Sequence, residues 1–185
     1  AWKSEQMDYP WSAAGFGAYA IQSAYGMLFR QAYDGIYAFN WDDGTIAWHY
    51  KDPADSVYET PYRNLDDVTG YSFDQGAYIA DGKMYTLNNE HTPTPPITRG
   101  WGVNCIDIFT GGRVWKIKGI SDWTAPGPIA DGYLTISAAD GYLYVFGKGE
   151  SETTVMGPLS NVAKGSPITI TGSVLDICDR CYTND

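Results

Sequence analysis

Apolar and polar positions in this chain alternate in short runs, each broken by a turn rich in Gly, Asp or Asn, and the runs recur. Asp34-Gly35-Ile36-Tyr37-Ala38-Phe39-Asn40 leads through Trp41-Asp42-Asp43-Gly44 into Thr45-Ile46-Ala47-Trp48. Alternation on both sides of a Gly-bearing turn reads as strand, tight turn, strand. Asn40, Gly44 and Trp48 are spaced four and four, and the spacing returns at Asp107, Gly111 and Trp115 within Cys105-Ile106-Asp107-Ile108-Phe109-Thr110-Gly111-Gly112-Arg113-Val114-Trp115. The offset, 107 minus 40 and 115 minus 48, is 67 residues in both cases. A second element also recurs: Ile79-Ala80-Asp81-Gly82-Lys83-Met84-Tyr85 matches Ile129-Ala130-Asp131-Gly132-Tyr133-Leu134-Thr135. Ala24-Tyr25-Gly26-Met27-Leu28-Phe29 is a worn copy with Tyr25 in place of the Asp, and Asp140-Gly141-Tyr142-Leu143-Tyr144-Val145-Phe146 is a third copy of the later strand.

Each piece has a physical reading. Asp-Gly before a β-rich run is a hairpin signal, because Gly takes positive φ without steric cost. An Asp or Asn followed by Gly four residues on closes a short turn between antiparallel strands, and the Trp four residues later can cover the neighbouring sheet. One four-stranded unit cannot bury both of its faces, so such units must stack. No amphipathic helix of three turns is found.

These residues resemble the pyrroloquinoline-quinone (PQQ) propeller repeat, whose pattern is roughly Ala-Leu-Asp-x-x-Thr-Gly-x-x-x-Trp. Cys105 through Trp115 follows it almost position by position; Ala38-Phe39-Asn40 through Trp48 follows it with Asn for Asp and Asp43 for Thr. The third copy departs, since Gly147-Lys148-Gly149 follows Phe146 with no Trp. The resemblance covers residues 13 to 149 and implies an all-β fold: a partial β-propeller of about three four-stranded antiparallel blades, with a short C-terminal extension. WD40- and YVTN-like repeats share that architecture. Closed propellers usually have about four to eight blades. Other protein segments or subunits are therefore expected to complete the ring.

Three segments follow: 1–149, the propeller; 150–165, a linker low in bulky residues; and 166–185, a tail or the start of a module. Pro167 to Asp176 alternates with period two and resembles the first strand of Ig-like surface modules.

Composition narrows the function classes. Aromatic residues make up 15% of the chain and Gly numbers 21, which favours strands and turns. The net charge of −10 disfavours nucleic-acid backbones and anionic membranes as partners. It reads as a solubility charge, with cation binding as the sharper alternative. No apolar run is long enough to span a bilayer, so no membrane insertion is expected. The chain opens Ala1-Trp2-Lys3, not with Met, and no signal-type leader is present. A processed product or a fragment is expected, placed outside the cytoplasm: cell-surface, secreted or periplasmic. There is no Asn-x-Ser/Thr sequon.

Candidate chemistry is sparse. A PQQ dehydrogenase would need a calcium held by acidic and amide side chains, a catalytic Asp, a stacking Trp and often two adjacent cysteines. Adjacent cysteines are absent, and nothing marks Asp66, Asp67, Asp74 or Glu90 as calcium or base residues in place of turn residues. Cys178 and Cys181 form a C-x-x-C followed by Tyr182, so it is not a c-type haem site; a disulfide or half of a site completed elsewhere remains open. Cys105 falls in a strand as a small core residue. His49 follows Trp48 on a strand and is expected to be solvated. The one candidate binding element is the insertion at 88–101, which presents Glu90, His91, Arg99 and Trp101 on a backbone stiffened by Pro93, Pro95 and Pro96. A polar small molecule, a sugar face or a neighbouring subunit could bind there, the last being favoured by the blade count. The reading is a non-catalytic binding or scaffolding module with no cofactor. Its alternative is a fragment of a PQQ-dependent dehydrogenase with PQQ and calcium.

Overall fold

The computed structural model describes residues 1–7, 21–32, 34–53, 71–73, 76–88, 102–120, 126–147, 149, 151–158 and 160–176. Every regular element among them is a β-strand: β1 (Ile21–Ala24), β2 (Met27–Ala32), β3 (Gly35–Asn40), β4 (Ile46–Tyr50), β5 (Tyr78–Ala80), β6 (Lys83–Asn88), β7 (Gly102–Asp107), β8 (Arg113–Lys118), β9 (Ile129–Ala130), β10 (Tyr133–Ser137), β11 (Leu143–Gly147), β12 (Ser151–Met156) and β13 (Thr171–Asp176). The sheets run β1-β2-β3-β4, β5-β6-β7-β8 and β11-β10-β9, with β12 paired to β13. The chain is a partial β-propeller. Its first two blades have the expected four strands and its third has three.

The repeats read from the sequence coincide in register. Ala38 opposes Trp48 and Cys105 opposes Trp115, and each ladder is interrupted by a bulge at the next residue, between Ala38 and Phe39 and between Cys105 and Ile106. The β3–β4 and β7–β8 turns close identically: Gly44 N–H donates to Asn40 O and Gly111 N–H to Asp107 O, both at 2.9 Å. The first hairpins also agree. Tyr25, Asp81 and Asp131 have φ of 51°, 51° and 50°, so the worn copy keeps the turn although its residue is bulky and ill-suited to positive φ. The Tyr25 ring is braced edge-on against Phe109, centroids 5.5 Å apart.

Gly26 and Gly82 are 56 residues apart, whereas Asn40 and Asp107 are 67 apart. The difference of 11 is the extra length of the β6–β7 connection, residues 89–101, over the β2–β3 connection, residues 33–34.

Period-two alternation gives each blade two faces, here called front (toward the next blade) and back. The front of blade 1 (Met27, Phe29, Ile36, Ala38, Trp48, Tyr50) packs on the back of blade 2 (Met84, Ile106) together with Ile108 and Phe73. The front of blade 2 (Leu87, Val103, with Tyr85 and Trp115) packs on Leu134 and Ile136 of blade 3, where Tyr144 and Phe146 join them. Burying each such large side chain contributes about 1.5–3 kcal/mol. The stack of faces, not a central core, is what holds these sheets.

The second unit, Gly147–Asp185, is described by itself. Its β12–β13 ladder runs from Ser151↔Asp176 to Met156↔Thr171. Residues 151–156 thus form a strand within the stretch read as linker. The C-terminal strand begins at Thr171; Pro167 to Ile170 has no ladder partner among the described residues. Its described side chains are exposed, and this lone ribbon gives no support to an Ig-like module.

The repeat geometry yields a prediction. Gly111 has φ +71° and a Cβ there would lie 2.7 Å from the Trp48 ring, whereas Gly119 has φ +83° and open space around it. Both Gly→Ala changes carry the positive-φ strain, about 1–2 kcal/mol. Gly111→Ala must in addition displace Trp48. Urea unfolding should show Gly111→Ala clearly more destabilised than Gly119→Ala; equal losses would remove the Trp48 contact from the account.

Candidate functional site

Two sets of residues stand out, one at each end of the sheets. At the β3–β4 turn end, a Trp from one repeat locks onto the turn of the next. The Trp48 indole lies across Gly111, and its Nε1–H donates to Ile108 O at 2.9 Å. Trp2 repeats this contact on blade 1: its ring lies where a Cβ on Gly44 would fall, and its Nε1–H donates to Trp41 O at 2.5 Å. Trp41 and Ile108 are themselves equivalent, 108 minus 41 being the repeat offset of 67. Trp2 is therefore a repeat Trp that the sequence reading missed. The available signal was Trp2-Lys3, identical to Trp115-Lys116.

The turn carboxylates serve this contact. Asp107 Oδ1 accepts from Thr110 N–H at 2.9 Å, Phe109 N–H at 3.0 Å and the Thr110 hydroxyl at 3.0 Å. These bonds, the Thr110 backbone N–H first, hold its carboxyl below the usual range. In blade 1 the acid has moved to Asp43, which accepts from Thr45 N–H at 3.0 Å and the Thr45 hydroxyl at 2.7 Å and is likewise lowered. Gly44 N–H and Gly111 N–H close their turns on Asn40 O and Asp107 O alike, and Trp48 opposes Ala38. Trp115 matches Trp48 in register and in its aromatic partner: Trp48 meets Phe29 at 5.8 Å and Trp115 meets Tyr85 at 6.0 Å, Phe29 and Tyr85 being equivalent.

The opposite end, where the β2–β3 and β6–β7 connections emerge, is polar and buried. On blade 1, Tyr37 Oη–H donates to Asp34 Oδ2 at 2.5 Å, and the Tyr37 ring stacks on His49 at 3.8 Å. His49 Nε2 lies 3.1 Å from Asp34 O and 3.6 Å from Asp34 Oδ2. Asp34 Oδ1 is buried with no hydrogen-bond partner among the described residues. Desolvation pushes the Asp34 carboxyl up; Tyr37, His49 and Lys51 pull it back. The expectation of a solvated His49 is corrected: its ring is held by the Tyr37 face and the Asp34 backbone. Blade 3 keeps part of this arrangement, with Tyr144 Oη–H donating to Asp140 Oδ2 at 2.6 Å.

Between blades 1 and 2, Gln31 Nε2–H donates to Thr86 Oγ1, and Asn104 Nδ2–H donates to Asn88 Oδ1 at 2.7 Å. Asp52, fully buried, receives Lys116 Nζ at 2.6 Å and lies 3.5 Å from Arg113 Nη1. Lys116 also sits 4.4 Å over the Tyr71 ring, and Tyr71 N–H donates to Asp52 O at 2.9 Å. Tyr50 Oη is 3.4 Å from Asp52, and burial followed by that charge pushes its phenol up. This buried pair ties the tail of β4 to β8. No sequence signal announced Gln31, Asp52 or Lys116, because alternation assigns a residue to a face without saying what covers the face.

Glu90, His91, Arg99 and Trp101 lie outside the described residues, as do Cys178 and Cys181. Their insertion is bounded by Asn88 and Gly102, which oppose each other across β6 and β7 and so put its two ends side by side above the buried amides. Cys105 is a core residue of β7, and burial raises its thiol to about 11, which makes it a poor nucleophile. Among the described residues no three His, Cys, Asp or Glu side chains gather into a metal-ligand set.

No protein-family model matches the chain, and no curated protein does. Solved structures do. A quinohemoprotein alcohol dehydrogenase from Pseudomonas putida aligns over 80% of this chain at 19% identity with a TM-score of 0.51, and 20% of its own length is covered. A europium-containing methanol dehydrogenase aligns over 55% of this chain and 15% of its own at 20% identity, TM-score 0.38. BamB from Moraxella catarrhalis aligns over 69% of this chain and 44% of its own at 15% identity, TM-score 0.32. The chain spans about a fifth of the first of these proteins, and at such identity the likeness concerns the fold alone.

Two predictions follow from the polar end. The fold raises the Asp34 carboxyl above its unfolded value, so the native state binds the proton more tightly than the unfolded chain does. Its destabilising effect is absent below the unfolded value near 3.8 and grows as pH rises through the folded one. Asp34→Asn should therefore gain stability relative to the unaltered chain as pH increases from about 4 to 7. Urea midpoints at several pH values check this; a constant gap would refute it. Lys116→Ala leaves the buried Asp52 charge with Arg113 alone, 3.5 Å away, and should cost up to about 3–5 kcal/mol, while Asp52→Asn combined with Lys116→Met should recover most of that. A double variant as unstable as Lys116→Ala would show that packing, not charge, is at stake.

Proposed function

We propose that this chain is a non-catalytic propeller segment of a larger extracytoplasmic assembly, in which it binds or scaffolds other protein segments. One observation carries this reading. The residues of blades 1 and 2 that face the next blade from the third strand, Ile36, Ala38, Val103 and Cys105, are 0% exposed, whereas their counterparts in blade 3, Leu143 and Val145, are 68% and 56% exposed. Tyr133, 54% exposed, alternates with buried Leu134 and stands on the same open face. Adjacent apolar residues left open on a sheet face mark an association surface. Among the described residues the buried carboxylates have structural partners: Asp52 is held across blades by Lys116 and Arg113, and Asp34 within blade 1 by Tyr37. No helix among the described residues is long and apolar enough to cross a membrane. The insertion with Glu90, His91, Arg99 and Trp101 serves as a second contact, at the sheet end opposite the tryptophan turns.

The competing reading, a fragment of a PQQ-dependent dehydrogenase, draws on the fold likeness to the quinohemoprotein alcohol dehydrogenase. A fold of this kind hosts many functions. Titrating the purified chain with PQQ in the presence of calcium separates the two. Under our reading the quinone absorption band does not shift, and no alcohol-dependent dye reduction appears. Saturable quinone uptake with dye reduction would overturn it.

A further inference from the structure

Tyr25 stands at a position that the repeat fills otherwise. Its φ is 51°, and its equivalents Asp81 and Asp131 share that conformation at 51° and 50°. Short polar side chains enter this left-handed region at low cost, and a bulky aromatic does not. The turn itself therefore does not call for Tyr25. Phe109 is a second exception, since its equivalent in blade 1, 67 residues earlier, is the exposed Asp42. The two aromatic replacements meet across the seam between blades 1 and 2, ring centroids 5.5 Å apart and planes at 73°. Their contact does not bury them: Tyr25 is 58% exposed and Phe109 57%. Trp41, also exposed, adjoins the same turn, its N–H donating to Gly26 O at 3.0 Å. The turns that carry these rings are acidic. Asp42 and Asp43 follow Trp41, Asp107 precedes Phe109 by two residues, and the Phe109 ring lies over Gly82 beside Asp81. The nearby cations are engaged: Lys83 Nζ lies 3.0 Å from Asp81 Oδ2, and Arg113 reaches the buried Asp52. In the N-terminal segment Lys3 and Glu5 offset each other.

We propose that Tyr25 and Phe109, with Trp41 beside them, bind the guanidinium of an arginine carried by a partner protein segment. This rests on the binding-module reading and names the chemistry of one partner. The face of an aromatic ring is negative and attracts a cation laid upon it. More than half of each ring is open, so a planar cation has a face to stack on. Guanidinium is planar and weakly hydrated, which suits it to such a face better than the compact, strongly hydrated ammonium of lysine. Asp42, Asp43, Asp81 and Asp107 make the surroundings negative and raise the local concentration of cations. A neutral sugar could stack on the same rings but would draw nothing from those four charges, and an anion would be repelled. A costly backbone conformation kept for an exposed side chain fits a binding residue, because strain of this kind gathers at ligand sites.

Nuclear magnetic resonance titration of the 185-residue chain with an acetylated, amidated tetra-arginine peptide tests it, with circular dichroism and urea unfolding on every variant. Binding should saturate, and the arginine δ-methylene protons should move upfield under the ring current. A peptide with citrulline in place of every arginine keeps the shape without the charge and should bind roughly tenfold more weakly or worse. Tyr25→Asn supplies a residue suited to positive φ, so its urea midpoint should equal or exceed that of the unaltered chain while affinity falls about threefold. Phe109→Asn should weaken binding by a similar factor, and the two changes together by about tenfold with loss of the ring-current shift. Falling affinity at undiminished stability is an outcome that a merely structural Tyr25 does not give. The proposal is overturned if no saturable binding appears at near-millimolar peptide. It is overturned equally if citrulline binds as well as arginine, or if the double variant binds unchanged, which would leave only attraction to the net charge of −10. A Tyr25→Asn chain that loses stability in step with affinity would assign the ring to packing and also overturn it. The quinone titration reads a different ligand, so failure here leaves the binding-module reading to its own test.

Discussion

The contact on which the architecture depends is an indole laid on a glycine. Any Cβ at Gly111 would lie inside the space the Trp48 ring uses. The positive φ there closes the turn after Asp107, so one glycine does two jobs: it bends the chain and leaves a flat floor for the neighbouring blade. The Nε1–H bond to Ile108 O fixes where on that floor the ring sits. Sheets that share only apolar faces could slide, because dispersion contacts are non-directional. A directional bond from one blade to a backbone carbonyl of the next sets the register of the stack.

The same requirement explains which substitutions the repeat tolerates. The turn needs a side-chain acceptor to hold its backbone, but not at one fixed position. Blade 2 places it first, as Asp107 over Thr110; blade 1 places it fourth, as Asp43 over Thr45, with Asn40 now donating to the Thr45 hydroxyl at 2.8 Å. The glycine and the tryptophan have no such substitute in these two blades. Among the described residues blade 3 shows neither this element nor a fourth strand.

This is why so much of the fold was legible in the sequence and so little of the polar end. Asn40, Gly44 and Trp48 are local signals: a turn and its plate lie within nine residues, and their recurrence at Asp107, Gly111 and Trp115 needs no knowledge of the third dimension. Trp2 escaped because only its Trp-Lys dipeptide survives without the turn before it. Asp34 was legible as the Asp of an Asp-Gly pair, but its burial against Tyr37 and His49 depends on the strand after next. Asp52 and Lys116 are 64 residues apart and meet only because two blades stack. His49 was misjudged for the same reason, since a strand residue beside an exposed neighbour looks solvated until its cross-strand partner Tyr37 is known to be aromatic and close.

The two ends of the sheets therefore do different work, and the division has a physical cause. At the tryptophan end the seam is closed by apolar area and single backbone bonds, so it can be repeated with any neighbour that offers a glycine turn. At the other end Gln31, Thr86, Asn88, Asn104, Asp52 and Lys116 must match partner by partner, because each buried polar group left unpaired is costly. A seam of the second kind suits one partner, and one of the first kind suits every blade of the same repeat. Blade 3 offers on its open side Leu143 and Val145 with no buried charge to match. Its open face is of the repeatable kind, and the polar specificity of the chain is already spent between blades 1 and 2.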